Sequence, residues 1–397
     1  MTLSDTATGE RVHIGFFGLR NAGKSSVVNA VTGQKVSLVS DIKGTTTDPV
    51  QKSMELLPIG PVVIIDTPGI DDEGALGELR VQRARQTLAK TDLAVLVVDA
   101  VRGMQEADHT LCSLFREKKI PYVIAYNKCD LIHDFAANGQ HEICVSASTG
   151  QNIRALKELL ASLAPQAQNS RRIIGDLLAP GDVVILVTPI DDAAPKGRLI
   201  LPQQQTLRDV LDSHASALVV QDTELSGALA SLAKQPKLVV TDSQAFERVS
   251  RDVPSDILLT SFSILFARYK GDLKTVVHGA AALDALADGD TVLISEGCTH
   301  HRQCGDIGTE KLPRWLARYT GKALNLRFTS GTEFPEDLSG ISLVIHCGGC
   351  MLNEREMQSR LASCLRQGVP VTNYGTAIAQ MHGILRRSLS PFPELLW

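Results

Sequence analysis

The chain has 397 residues, forty basic against forty-four acidic side chains, and a formal net charge of −4. It is too long for one hydrophobic core and calls for two or three domains. The balanced charge, with no Lys/Arg-rich tail, counts against nucleic acid as the main partner, and aromatics at 4% beside abundant glycine and aliphatic residues point to strand–turn–helix units and away from a β-sandwich.

In chain order, apolar runs at His13–Gly18, Val62–Asp66, Leu93–Asp99, Tyr122–Asn127 and Glu142–Ser146 read as strands, with amphipathic stretches at Arg80–Lys90 and Asn152–Leu163. Short continuous apolar runs bounded by turns suit a parallel sheet covered on both faces. Pro165 and the polar residues after it read as a linker, which closes a first domain at 1–168. A second α/β domain, 169–255, follows. Its expected strands are Val183–Val187, Ala217–Val220 and Leu238–Thr241, and its expected helices Leu207–Ser213 and Leu225–Lys234. It has no phosphate loop and no catalytic spacing, so it reads as a module that binds another protein or a second copy of itself. A third domain, 256–397, is expected to hold a long helix over Phe262–Ala287, broken near Lys270-Gly271, and strands at Thr291–Ser295, Ala323–Phe328 and Leu343–His346. The expected fold class is α/β in three domains with a mostly parallel first sheet.

The start, Met1-Thr2-Leu3-Ser4-Asp5, lacks a signal-peptide core, and the apolar stretch from Ile257 to Ala267 is too short to span a bilayer. A cytoplasmic chain without membrane contact is expected. In that reducing compartment the eight cysteines read as thiols or metal ligands and not as disulfides.

Gly18-Leu19-Arg20-Asn21-Ala22-Gly23-Lys24-Ser25, between a strand and a helix, is a phosphate loop. Its glycines let backbone N–H groups turn inward around phosphates, Lys24 neutralises their charge, and Ser25 can hold Mg2+; Ser26 is counted among the nucleotide contacts. Asp66-Thr67-Pro68-Gly69 ends a strand, placing Asp66 near Mg2+ and the Gly69 N–H near the terminal phosphate. Asn127-Lys128-Cys129-Asp130 also ends a strand, and a carboxylate there accepts both guanine N1–H and N2–H, a donor pair adenine lacks. In Ser146-Ala147-Ser148 a backbone N–H would meet guanine O6. Lys43-Gly44-Thr45-Thr46-Thr47-Asp48 supplies a switch threonine for Mg2+, Thr46 first and Thr45 in reserve. The catalytic set is Lys24, Asn21, Thr46, Asp66 and Gly69, and the ligands are GTP and GDP. Motif order and spacing match the GTPase superfamily, and the Gly-Thr-Thr and Asp-Thr-Pro-Gly forms resemble its Era/TrmE-like branch. Ile70 stands where signalling GTPases carry a water-orienting glutamine, so intrinsic turnover is expected to be slow. In TrmE-like enzymes an asparagine at the Asn21 position helps to hold K+ beside the phosphates; that role and simple tightening of the loop are equally open here.

Cys298-Thr299-His300 follows one expected strand, and His346-Cys347-Gly348-Gly349-Cys350 ends another. A Cys-x-x-Cys loop lets two sulfurs reach one metal centre, and its glycines free N–H groups to bond those sulfurs. Residue chemistry alone leaves structural zinc and an iron–sulfur cluster open. With zinc, the chain would be a zinc-stabilised GTPase of ribosome assembly or tRNA modification.

The whole arrangement, a GTPase domain, a middle α/β domain and a C-terminal Cys-x-His…His-Cys-x-x-Cys pattern, resembles the FeFe-hydrogenase maturation GTPases, the HydF family. The resemblance covers the full chain. It implies a 4Fe–4S cluster on Cys298, Cys347 and Cys350, a homodimer through the middle domain, and a scaffold role. A diiron subcluster precursor would arrive from two radical-SAM maturases and pass to apo FeFe-hydrogenase. Three thiolates leave one iron without a cysteine, and His300 and His346 are candidates for that position or for a supporting contact. Cys304, six residues after Cys298, is not called for by the family pattern, and His301, Cys112, Cys129, Cys144 and Cys364 read as bystanders.

Overall fold

Alternating apolar side chains along β1 (Val12–Phe17) feed two cores at once, Ile14 and Phe16 to one face of a sheet and Phe17 to the other. The computed structural model describes residues 8–34, 50–67, 84–132, 137, 139–165, 171–189, 199–297, 306–331 and 333–395. The chain divides into two units, Met1–Gln168 and Asn169–Trp397.

In the first unit β1 leads through a loop into α1 (Lys24–Thr32), followed by β2 (Val50–Leu56), β3 (Gly60–Asp66), β4 (Leu93–Asp99), α2 (Glu106–Glu117), β5 (Tyr122–Asn127), β6 (Glu142–Cys144) and α3 (Ile153–Leu163). The six strands lie in the order β2-β3-β1-β4-β5-β6, all parallel except β2, which runs antiparallel to β3. Val27, Val28, Leu156 and Leu160 of α1 and α3 cover one face. Leu111 and Phe115 of α2 cover the other, with Leu88 from the helical residues 84–89. Covering both faces is what makes β1, β3, β4 and β5 read as continuous apolar runs.

The second unit begins with β7 (Val183–Val187), α4 (Leu201–Asp212), β8 (Ser216–Val220), α5 (Leu225–Ser231), β9 (Leu238–Thr241), α6 (Phe246–Asp252) and β10 (Leu258–Ser261). Two helices follow, α7 (Phe262–Lys270) and α8 (Leu273–Ala280), then β11 (Thr291–Ser295), α9 (Leu312–Thr320), β12 (Asn325–Thr329), β13 (Leu343–His346), α10 (Glu354–Arg366), β14 (Val371–Asn373), α11 (Tyr374–Met381) and α12 (Leu385–Ser388). The strands form two parallel four-stranded sheets, β10-β9-β7-β8 and β12-β11-β13-β14. One apolar cluster joins them: Val184 and Val240 of the first sheet, Phe262, Leu265, Val276 and Val277 of α7 and α8, and Leu293, Val344 and Val371 of the second. Among the described residues no helix is long and apolar enough to cross a membrane.

The helix expected over Leu207–Ser213 starts earlier, as α4 at Leu201, and the join of the middle and third domains also differs from the sequence expectation. The apolar stretch from Ile257 onward is a strand as well as a helix, and β10 completes the middle sheet by pairing with β9, beyond residue 255 where the middle domain was expected to end. The helix expected over Phe262–Ala287 is α7, α8 and a final 3-10 turn, Ala281–Ala285. The break falls at Gly271, where α7 ends, and Asp272 restarts the chain by accepting the Thr275 N–H at 3.3 Å.

Candidate nucleotide site and cysteine centre

The nucleotide motifs meet at the carboxyl ends of β1, β3, β4 and β5, where open parallel sheets place their ligands. Gly18 (φ +147°) could not carry a side chain, because a Cβ would lie 2.3 Å from the Val97 carbonyl oxygen. At Gly23 (φ +83°) a Cβ would lie 2.2 Å from Asn127 Nδ2. Asn21 itself has φ +66°, the left-handed region that asparagine tolerates, which gives the loop-tightening role a geometric basis.

Lys24 starts α1 and is 8% exposed, with Nζ 3.9 Å from Asp66 Oδ1, while Ser25 Oγ donates to Asp66 Oδ2 at 3.3 Å. Burial holds the Lys24 ammonium below its ordinary value, offset in part by Asp66. Burial pushes the Asp66 carboxyl up, against Lys24 and the Ser25 hydroxyl. Both groups are thus held where their charges are costly, and Asp66 Oδ1 is buried without a hydrogen-bond donor. A phosphate beside Lys24 and a divalent cation beside Ser25 and Asp66 are the charges that this arrangement suits.

The base-reading side is knitted to the phosphate loop. Asn127 Nδ2 donates to the Ala22 carbonyl at 3.0 Å and its Oδ1 accepts the Ala147 N–H at 3.0 Å. Of the backbone N–H groups in Ser146-Ala147-Ser148, the segment expected near guanine O6, that of Ala147 therefore already has an acceptor. Asp130 is exposed and accepts from Ser148 Oγ at 3.4 Å, and Ser146 Oγ lies 2.9 Å from Ser148 Oγ. Lys128 Nζ donates to the Asn21 carbonyl at 2.9 Å and to Asp99 Oδ2 at 2.6 Å. Asp99 was not among the expected site residues. Its signal was a carboxylate at the end of an apolar strand, the position that Asp66 also occupies. Thr45, Thr46 and Gly69 lie outside the described residues, as do Cys298, His300, His301 and Cys304.

In the second unit β13 ends at His346 and the Cys347–Cys350 loop turns off it. Cys347 Sγ accepts the Gly297 N–H at 2.9 Å and the Gly349 N–H at 3.4 Å. Gly297 is the residue before Cys298. Gly349 has φ +62°, and a Cβ there would meet Met357 Sδ at 2.9 Å. A sulfur that accepts two backbone N–H groups suits a thiolate bound to a cationic centre, so Cys347 fits a ligand of a metal ion or of an iron–sulfur cluster. Burial raises the Cys350 thiol, as does the neighbouring Cys347, and Lys270 opposes both. Among the described residues no group of three or more metal-ligating side chains is assembled.

His346 is 1% exposed, and both of its ring nitrogens are engaged. Arg360 Nη1 donates to Nε2 at 3.0 Å, and Nδ1 lies 2.7 Å from the Cys347 carbonyl oxygen. A guanidinium only donates and a carbonyl only accepts, so the ring carries its proton on Nδ1. That leaves no lone pair for a metal in this arrangement. Of the two roles open to His346, the supporting one agrees with the geometry and direct ligation does not. Arg360 also pairs with Glu356 at 2.7 Å and bonds the Gly331 carbonyl at 2.8 Å. Among the cysteines read as bystanders, Cys364 is fully buried in the core with its thiol pushed up to about 12.

Residues 13–128 match the family model of a 50S ribosome-binding GTPase. Residues 173–271 match the hydrogen maturase F dimerization domain and residues 274–391 the hydrogen maturase F tetramerization domain, together more than half of the chain. The first unit is a P-loop GTPase domain of the Era/TrmE-like kind, whose ligands are GTP, GDP and Mg2+. The chain as a whole belongs to the hydrogen maturase F family. GTPase Der of Thermomicrobium roseum is 34% identical over 191 residues, 42% of this chain and 41% of that protein. The tRNA modification GTPase MnmE of Acetivibrio thermocellus is 32% identical over 161 residues, 38% of this chain and 34% of that protein. The chain thus spans less than half the length of these relatives. Era of Aquifex aeolicus bound to GDP and AlF4− covers 60% of this chain and 97% of its own, at 19% identity and a TM-score of 0.33.

Proposed function

We propose that the chain is a GTP-hydrolysing scaffold and carrier that holds a 4Fe–4S cluster and delivers a diiron subcluster to apo FeFe-hydrogenase. Gly18, Asn21, Ala22, Gly23, Lys24, Ser25 and Ser26 cradle the phosphates, and Ser25, Asp66 and Thr46 serve Mg2+, with Thr45 in reserve. Gly69 meets the terminal phosphate, and Asn127, Lys128, Asp130, Ser146 and Ala147 read guanine. Hydrolysis is slow, because Ile70 cannot orient water; of the two roles open to Asn21, holding K+ would stimulate it and tightening the loop would not.

Cys298, Cys347 and Cys350 hold the cluster, His346 braces the loop, and His300 remains the candidate for the position without a cysteine. Cluster binding of this kind supplies an iron able to take an exchangeable ligand, which suits assembly and transfer of the diiron cargo. Radical-SAM maturases load that cargo, and the segment matched as a dimerization domain joins two copies of the chain. The observation that supports the reading most is the Gly297 N–H on Cys347 Sγ at 2.9 Å, in a chain of the hydrogen maturase F family. It ties the residue before Cys298 to the other half of the cysteine pattern.

Two measurements test the halves separately. Competition binding of GTP, ATP and XTP to Asp130→Asn should show guanine preference lost by about a hundredfold or more, since a doubly accepting carboxylate is removed; undiminished selectivity would remove Asp130 from its role. Anaerobic iron and sulfide analysis after reconstitution should find four of each per wild-type chain. Zinc uptake without sulfide would replace the cluster with a structural metal.

A further inference from the structure

Lys270 is the last residue of α7 and is 3% exposed. A lysine this deep is costly unless its ammonium is well bonded. Its Nζ donates to the Cys350 carbonyl and to the Leu352 carbonyl, both at 3.0 Å. These two carbonyls flank the outgoing turn of the Cys-x-x-Cys loop. The helix end is fixed in turn by Gln358 of α10, whose Nε2 donates to the Lys270 carbonyl at 3.4 Å and the Gly271 carbonyl at 3.0 Å. The break at Gly271 therefore matters to the cysteine loop, because a helix continuing through it would carry these carbonyl groups elsewhere. The incoming end of the same loop is held by the Arg360–His346 pair through the Cys347 carbonyl. Lys270 and Arg360 thus clamp the loop from two sides, and the charge of Arg360 is met by Glu356.

We propose that Lys270, which lies in the segment matched as the dimerization domain, is a positioning residue for the cysteine centre: it seats the Cys350 side of the loop and sets a fixed positive charge beside the sulfurs. The inference rests on the reading of Cys298, Cys347 and Cys350 as cluster ligands. Thiolates on a cluster crowd negative charge into a site of low dielectric, and reduction adds more. A buried cation there stabilises the ligating thiolates and favours the reduced state. It also follows that a displacement of α7 is felt at the cysteine loop, because Lys270 is a direct contact between the segment matched for self-association and that loop.

The test uses the full chain reconstituted anaerobically with ferrous iron and sulfide, as wild type, Lys270→Met, Lys270→Gln and Lys270→Arg. Thermal melts of the apoproteins, iron content, iron loss to a chelator and the midpoint potential from an EPR-monitored titration are read on each. The two neutral variants should melt as cooperatively as wild type and take up iron. They should then lose it to the chelator several-fold faster and show a more negative midpoint potential; Lys270→Arg should restore the wild-type potential. An unchanged potential in both neutral variants overturns the proposal. So does loss of the apoprotein fold in both, because Lys270 would then serve the fold and not the sulfurs. A wild-type chain that binds no iron brings down the cluster reading itself, whereas iron bound at one common potential brings down only the role of Lys270.

Discussion

Lys128 Nζ and Asp99 Oδ2 lie 2.6 Å apart, an ion pair that joins the end of β4 to the guanine-reading motif. The same ammonium reaches the Asn21 carbonyl, so a single side chain ties the ends of β4 and β5 to the phosphate loop. Burial alone would raise the Asp99 carboxyl, but the Lys128 bond and the Val101 N–H outweigh it and hold it below the ordinary range. Asp99 is 12% exposed and Lys128 34%, so the pair is partly screened by solvent. Asp99→Ala should weaken GTP and GDP binding by about 1 kcal/mol, roughly fivefold. Titration with a fluorescent guanine nucleotide checks this, and an unchanged Kd would make the pair a surface accident.

The raised Asp66 carboxyl gives nucleotide binding a pH dependence. A raised value means that the folded, nucleotide-free unit binds this proton more tightly than the unfolded chain does. The stability so gained is present below the unfolded value and lost as pH rises through the folded one. With Asp66 serving Mg2+ as proposed, binding of Mg·GTP requires the carboxylate and expels the proton, so affinity should fall as pH drops through the folded value. Calorimetry in two buffers of different ionisation enthalpy should find net proton release in wild type on the acidic side, and none attributable to this group in Asp66→Asn. Equal release by both proteins would place the proton elsewhere.

If Asn21 holds K+, hydrolysis should be faster in KCl than in NaCl, and Asn21→Ala should erase the difference. Asn21→Gly, which keeps the left-handed backbone and loses the side chain, separates this from loop strain. A wild-type rate that is the same in both salts would leave Asn21 its conformational role alone.

Much of this could be read in the sequence, because strands buried on both faces must be apolar throughout. β1, β3, β4 and β5 announce themselves in that way, and the phosphate loop and Asn127–Asp130 are contiguous. β2 has no such signature: as an edge strand it carries exposed Gln51, Ser53 and Glu55, and its alternation looks like a polar connection. β14 has only three residues, too few for a pattern. The α2 start does leave a local signal, since the Gln105 N–H is accepted by Asp108 at 3.1 Å, a capping arrangement that four residues spell out. The partners at the cysteine loop are another matter. Lys270 and Cys350 are separated by 80 positions and His346 and Gly331 share Arg360 only through folding, so no local pattern could pair them.

His346→Ala removes the acceptor of a guanidinium that is 4% exposed and the support of the Cys347 carbonyl. It should cost about 1–3 kcal/mol of stability in the C-terminal unit. The reconstituted chain should keep its iron but show an altered EPR spectrum, as expected when a group behind a ligand is changed. Loss of iron with the apoprotein melt unchanged would return His346 to the ligand set.

The central claim is that one chain joins a guanine-nucleotide switch to a cysteine-held cluster for hydrogenase maturation. It is tested most directly by activating apo FeFe-hydrogenase with wild type, with Lys24→Ala and with the triple variant Cys298→Ser, Cys347→Ser, Cys350→Ser. Iron and sulfide are measured on the same samples. The account predicts full cluster content without hydrolysis in Lys24→Ala, hydrolysis without cluster in the triple variant, and hydrogen evolution restored by wild type alone. A triple-cysteine variant that still matures the hydrogenase would contradict it, however sound its GTPase half remained.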